Sequence, residues 1–172
     1  EHPELVSNLI IVDIAPKSYV NAKFRHQMSI NHEDIIRAMK EVPVETLNSR
    51  SEIENKLSNN IKNNQLRKFL LKNIKKSDDN YIWKLNLDAV LKNLDLIFDT
   101  GISVEVNENK PVAHFPVLFI KGENSHYISE DDTITIHKMF SYAKIVSIPG
   151  AGHWLHAEQP ELFIKSILDF VF

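Results

Sequence analysis

Ser147-Ile-Pro-Gly150-Ala-Gly152-His153-Trp-Leu-His156-Ala-Glu158-Gln-Pro160 carries three kinds of structure in fourteen residues. The apolar run Ala143 to Ile148, which it continues, reads as a strand. Gly150, Ala151 and Gly152 are small enough for the backbone to turn sharply and present the imidazole of His153. Glu158-Gln-Pro160 then opens a helix to the C-terminus, with Leu162, Ile164, Ile167, Leu168 and Phe170 as its apolar residues. A loop leaving the carboxyl end of a buried strand is where open α/β sheets keep their chemistry. A lone histidine is usually structural or solvated, but this context makes His153 a candidate general base.

Working outward, two more stretches read as buried parallel strands. Leu9 to Val12 is continuously apolar and rich in β-branched residues, and Pro16 closes the segment. Asp13 therefore stands at the carboxyl end of a strand, where a carboxylate is either paired, functional or capping a turn. Phe115 to Gly122 repeats the buried-strand pattern, and Ser129-Glu-Asp-Asp132 caps a helix to about Phe140. Glu1 to Asn8 reads as a truncated helix or its exit.

Between these strands the chain changes character. Residues 17–110 are polar, helix-rich and poor in strand signals. The pattern predicts helices from Asn31 to Lys40, from a capping box at Ser51-Glu-Ile-Glu54 to about Asn60, from Asn63 to Ile74, and from Asn86 to Asp99. Asp78 to Leu85 reads as a break, Gly101 as a helix end and Gly101 to His114 as a polar loop. The block fits an insertion over a sheet or a separate helical domain.

The histidine stretch resembles the closing loop of the α/β-hydrolase superfamily, in which this histidine is the base of a nucleophile-His-acid triad. The resemblance implies an α/β fold, specifically the C-terminal part of an α/β hydrolase. Residues 1–16 and 111–172 would form the sheet core and residues 17–110 a helical lid insertion. Most of the superfamily keeps the triad acid after the strand ending here at Gly122, where this chain has Ser125 and, in the tight turn, only Glu123. Asp13 is the better candidate, because strands about 4.8 Å apart let an acid on an adjacent strand approach the same imidazole. Val12-Asp13-Ile14-Ala15-Pro16, Trp83-Lys-Leu-Asn86-Leu-Asp88-Ala89, Phe119-Ile120-x-Gly122-x-x-Ser125-x-Tyr127-Ile128 and the histidine stretch resemble one subfamily. It holds fungal ethanol acetyltransferases, mitochondrial abhydrolase-domain proteins and a bacterial acyl-CoA esterase. In several of these the equivalent aspartate is the acid.

No G-x-S-x-G nucleophile elbow occurs in the sequence. The resemblance implies that the serine lies upstream, that this chain is the C-terminal portion of a longer enzyme, and that alone it is inactive. The implied reaction makes a short ester such as ethyl acetate from acetyl-CoA and ethanol, with esterase and thioesterase side activity. Its partners are a small acyl donor, an alcohol or water, and the missing N-terminal half of the fold. Acetyl-CoA would be a substrate; no cofactor and no metal are implied. A plain carboxylesterase or acyl-CoA thioesterase, and an inactive truncated hydrolase, are the alternatives. The resemblance implies a mitochondrial location; otherwise the cytoplasm is expected.

Composition narrows the rivals. The 172 residues suffice for one sizeable core, with 43% hydrophobic and 25% charged residues. A net charge of −3 gives no electrostatic footprint for nucleic acid. The absence of cysteine excludes disulfides, thiolate metal sites and a cysteine nucleophile. No apolar run approaches the roughly 18 residues of a membrane span, so stable membrane insertion is not expected. His156, three residues beyond His153, has no cysteine or aspartate nearby to complete a metal site and is expected to hydrogen-bond at the helix entry.

Overall fold

Parallel pairing of three short apolar strands is the frame on which the site is built. The computed structural model describes residues 2–20, 31–78, 80–99, 113 and 115–172, and the predicted helix end at Gly101 and most of the predicted loop 101–114 lie outside them. Two compact units are separable, Glu1–Tyr19 with Thr100–Phe172, and Val20–Asp99. In the first, a parallel sheet is flanked by helices, the arrangement expected of the C-terminal part of such a hydrolase.

In that unit, β1 (Leu9–Val12), β4 (Val117–Gly122) and β5 (Ala143–Ile148) lie in the order β1-β4-β5. The register pairs Leu9 with Val117, and Val117 in turn with Ala143. The middle strand is apolar on both faces because both are covered. Leu118 and Ile120 join Ile148, Ala151 and Leu155 in one cluster, against which Phe163, Ile167 and Phe170 pack. On the opposite face, Phe119 meets Phe140 at 5.7 Å between ring centroids. The covering helices are α6 (Glu130–Met139), the short α7 (Leu155–Glu158) and α8 (Pro160–Val171). Ser129 and Asp132 form the predicted capping box of α6. The helix predicted to open at Glu158-Gln-Pro160 is α8; Gln159, extended in φ ahead of Pro160, separates it from the short α7, which was not predicted. The N-terminal segment holds one 3-10 turn, Pro3–Leu5.

The second unit contains α1 (His32–Lys40), α2 (Arg50–Ser58), α3 (Asn64–Leu70), α4 (Leu87–Lys92) and α5 (Leu94–Phe98). Asn31, Ser49, Asn63 and Asn86 each accept a backbone N–H from the first turn of α1 to α4, replacing bonds a helix start cannot make internally. Its core includes Met39, Ile53, Leu57 and Ile74. Four predictions fail here. The cap of α2 is Ser49, not Ser51; its hydroxyl meets Glu52 N, while the Glu52 carboxylate takes Asn48 N. The helix predicted to Ile74 stops at Leu70. Ile74 instead begins β2 (Ile74–Ser77), antiparallel to β3 (Asn80–Trp83). The supposed break is thus the second half of a hairpin, closed by the Ser77–Asn80 pair, with Asp78 in the left-handed region at φ 53°. The helix predicted from Asn86 to Asp99 breaks at Asn93, whose side chain donates to the Ala89 carbonyl and so competes with helix continuation. Among the described residues, no helix is long and apolar enough to cross a membrane.

Candidate active site

β1 ends at Val12, and Asp13 then takes a left-handed backbone conformation, φ 47°, with its N–H on the Ile120 carbonyl at 2.8 Å. That conformation is uncommon for a residue with a Cβ, and such strain is often kept where function needs a side chain aimed. The Asp13 side chain is fully buried. A buried carboxylate is tolerable only with donors around it, and three are present. Oδ1 accepts Gly122 N at 3.2 Å; Oδ2 accepts the Ser125 hydroxyl at 2.5 Å and meets His153 Nδ1 at 2.8 Å. An ionised carboxylate only accepts, so the imidazole donates from Nδ1 and its Nε2 carries the free lone pair.

The route of this contact differs from expectation. β1 is not adjacent to β5; β4 lies between them. Asp13 reaches the histidine across the end of the middle strand, and Gly122 makes the crossing possible. A Cβ at Gly122 would stand 2.2 Å from the Gly152 carbonyl oxygen and 2.6 Å from that of Ala151. Backbone packed this closely to backbone admits only glycine.

The histidine loop is fixed from several sides. Gly150, at φ 70°, makes the turn and donates its N–H to Glu123 Oε2 at 2.8 Å. Asn124 N donates to the Ala151 carbonyl at 2.8 Å, and Gly152 N to Glu158 Oε2 at 2.6 Å. Glu123 is therefore a brace for the turn, and Glu158 fastens the loop to α7. His153, with its side chain 36% exposed, joins a buried acid on one edge to solvent on the other.

Tyr127 lies flat on the imidazole, ring centroids 3.8 Å apart and planes 11° from parallel. Burial first, and then the Asp13 charge, push the Tyr127 phenol up to about 12. Among the described residues His156 has no hydrogen-bond partner of the kind anticipated; its ring is exposed and meets Phe163 edge-on at 6.3 Å. Among the described residues, no three His, Cys, Asp or Glu side chains gather closely enough to hold a metal ion.

The predicted pair, Asp13 and His153, thus comes together. Reading the sequence missed the contacts of Ser125, Tyr127, Gly122 and Glu158. Ser125 stood in the loop where an acid was sought, and a short hydroxyl two residues before an aromatic was the available signal.

A β-strand end carrying Asp13, a glycine-bracketed histidine and three parallel strands invite comparison with known hydrolases. A solved esterase from a marine microorganism is 44% identical, with a TM-score of 0.84 over 99% of this chain and 62% of its own. The chain belongs to the α/β-hydrolase superfamily. Among curated hydrolases, the sn-1-specific diacylglycerol lipase ABHD11 of Danio rerio is 35% identical over 98% of this chain and 50% of its own length. A probable alcohol acetyltransferase of Saccharomyces cerevisiae is 29% identical over 99% of this chain and 51% of its own. The chain spans about half the length of the curated relatives it matches. No family profile matches it.

Proposed function

We propose that this chain supplies the base, the acid and a helical lid of a serine-dependent acyl-transferring hydrolase. The observation that carries the reading is the His153 Nδ1–Asp13 Oδ2 contact at 2.8 Å, with the acid fully buried and the imidazole open to solvent. In this reading His153 Nε2 removes the proton from a serine hydroxyl as the oxygen attacks an acyl carbonyl. The imidazolium then returns that proton to the departing thiol or alcohol. A second alcohol or water, deprotonated by the same nitrogen, releases the acyl group and regenerates the serine. Asp13 holds the tautomer and stabilises the imidazolium at both stages. In this reading the serine comes from a part of the fold outside this chain, and residues 17–110 are the lid insertion.

For substrates, we infer acetyl-CoA as acyl donor and ethanol as acceptor, giving ethyl acetate, with no cofactor. The yeast relative's name supports acetyl transfer to an alcohol, and the choice of acetyl-CoA and ethanol rests on the subfamily resemblance. A mitochondrial location belongs to the same proposal and rests on the subfamily resemblance. Hydrolysis without alcohol transfer is the second reading, favoured by the names of the zebrafish lipase and the marine esterase. The test uses the complete protein containing this chain, given acetyl-CoA with and without ethanol. Ethyl acetate formed only with ethanol, and abolished by His153→Ala, is the expected result. Acetate alone under both conditions would leave the hydrolase reading.

A further inference from the structure

Asp13 holds the imidazole by one edge, and one hydrogen bond does not fix a ring. Rotation about the Nδ1–Oδ2 direction would still sweep Nε2 through an arc. We propose that Tyr127 is a positioning residue for His153, holding the flat of the imidazole while Asp13 holds its edge. The inference rests on the reading of His153 as the base.

Three observations carry it. First, the rings are in face-to-face contact at 3.8 Å and 11°, which restricts the tilt that the Asp13 bond leaves free. Second, Tyr127 is itself anchored. The buried Tyr19 hydroxyl accepts Ala15 N at 2.6 Å and donates to the Tyr127 carbonyl at 3.0 Å. The two tyrosine rings also meet at 5.6 Å. One hydroxyl thereby joins the segment two residues beyond Asp13 to the residue stacked on His153. Third, Tyr127 N donates to Ser125 Oγ at 3.3 Å, so the hydroxyl that binds Asp13 and the ring that covers His153 move as one piece. Electrostatics favour the same arrangement. The face of a phenol ring is negative, and a cation over it is stabilised, so the stack supports the imidazolium that forms during proton transfer.

A ring placed this way contributes to turnover and little to substrate binding. In the complete protein, kcat and KM on one short ester are measured for wild type, Tyr127→Phe, Tyr127→Leu and His153→Ala, with thermal melts. Tyr127→Phe keeps the ring and is expected within about threefold of wild type. Tyr127→Leu is expected to lower kcat roughly 10- to 100-fold with KM changed less than about threefold, the size of effect that small misplacements of a reacting group produce. If the leucine variant does not fold, Tyr127→Met, flexible and without a π face, carries the same expected loss. A folded Tyr127→Leu or Tyr127→Met with wild-type kcat, a loss confined to KM, or a Tyr127→Phe as impaired as Tyr127→Leu would overturn the proposal. An active His153→Ala would overturn it together with the reading of the base. An inert His153→Ala beside a fully active Tyr127→Leu would overturn the role of the stack alone.

Discussion

The corner around His153 and the block Val20–Asp99 are built from different bonds. In the corner, single residues have single permitted identities: Gly122 against the Gly152 carbonyl, Gly150 at φ 70°, and Asp13 buried among three donors. In the block, stability comes from buried aliphatics such as Ile53 and Leu57, and from interchangeable Asn and Ser caps. The corner is specified by geometry and the block by pattern. A pattern tolerates many sequences, so it marks its own boundaries less sharply.

The largest expected difference is catalytic. On the proposed roles, His153→Ala in the complete protein should lower kcat by roughly 10⁴ to 10⁶, as removal of a triad base does in serine hydrolases. Asp13→Asn should lower it by about 10⁴, through loss of the correct tautomer and of the imidazolium's partner. Steady-state kinetics on a single ester, with melting curves to verify folding, measures both. An active Asp13→Asn enzyme would move the acid elsewhere and break the comparison at its centre.

Next comes a contrast in stability. Gly122→Ala forces a methyl into backbone oxygen and should cost about 1–3 kcal/mol, the range of overpacked sites, with a loss of kcat in the folded fraction as the histidine loop is displaced. Ile53→Ala, at a fully buried position in the block, should cost about 2–5 kcal/mol while kcat on a small ester stays within about threefold. Denaturant melts and kinetics on the same samples separate the two. A Gly122→Ala enzyme with unchanged kcat would show that the close approach serves stability only.

What the sequence disclosed follows the same division. Leu9 to Val12, Ala143 to Ile148 and the Gly-x-Gly-His turn were legible because a short run rich in Ile and Val and a bracketed turn each have few alternatives. The pairing of Asp13 with His153 was legible, but not its path across the middle strand, because strand order is not written in any local stretch. Ile74 was read as the end of a helix and Lys75-Lys76-Ser77 as no element, since one apolar residue followed by exposed lysines carries no clear period. Asn93 broke a helix through a side-chain bond that competes with the backbone, which periodicity does not register.

A smaller effect tests the neighbours of the acid. Ser125→Ala removes one of two donors from Asp13 Oδ2 and should reduce kcat about tenfold, the kinetic equivalent of one hydrogen bond to a buried charged group. Glu123→Gln keeps an acceptor for Gly150 N and should cost less than about tenfold. If Glu123→Gln is the more damaged enzyme, the brace of the turn matters more than the donors around the acid.

The last contrast sets one ion pair against another. Asp132, only 13% exposed, is bound by Lys17, and its Oδ2 accepts from Ser129 N and Oγ at 2.7 Å each. Burial pushes its carboxyl up, but the hydrogen bonds from Lys17 and Ser129 outweigh it and hold the group below its ordinary value of 3.8. A depressed native value means that the unfolded chain binds the proton first as pH falls. The contribution of Asp132 is therefore complete above the ordinary carboxylate range and is lost as pH drops through its native value. Asp132→Asn should lower stability by about 1–2 kcal/mol at pH 7, and the gap to wild type should begin to narrow below about pH 4. In the block, Glu33 and Arg37 form an i,i+4 pair with side chains 41% and 58% exposed. Glu33→Gln should cost less than about 0.5 kcal/mol, because solvent screens the pair. Urea melts of both variants at pH 7, 5 and 3.5 decide the matter. A gap for Asp132→Asn that is the same at all three values would mean that shape, and not charge, makes this contact, leaving the two ion pairs alike.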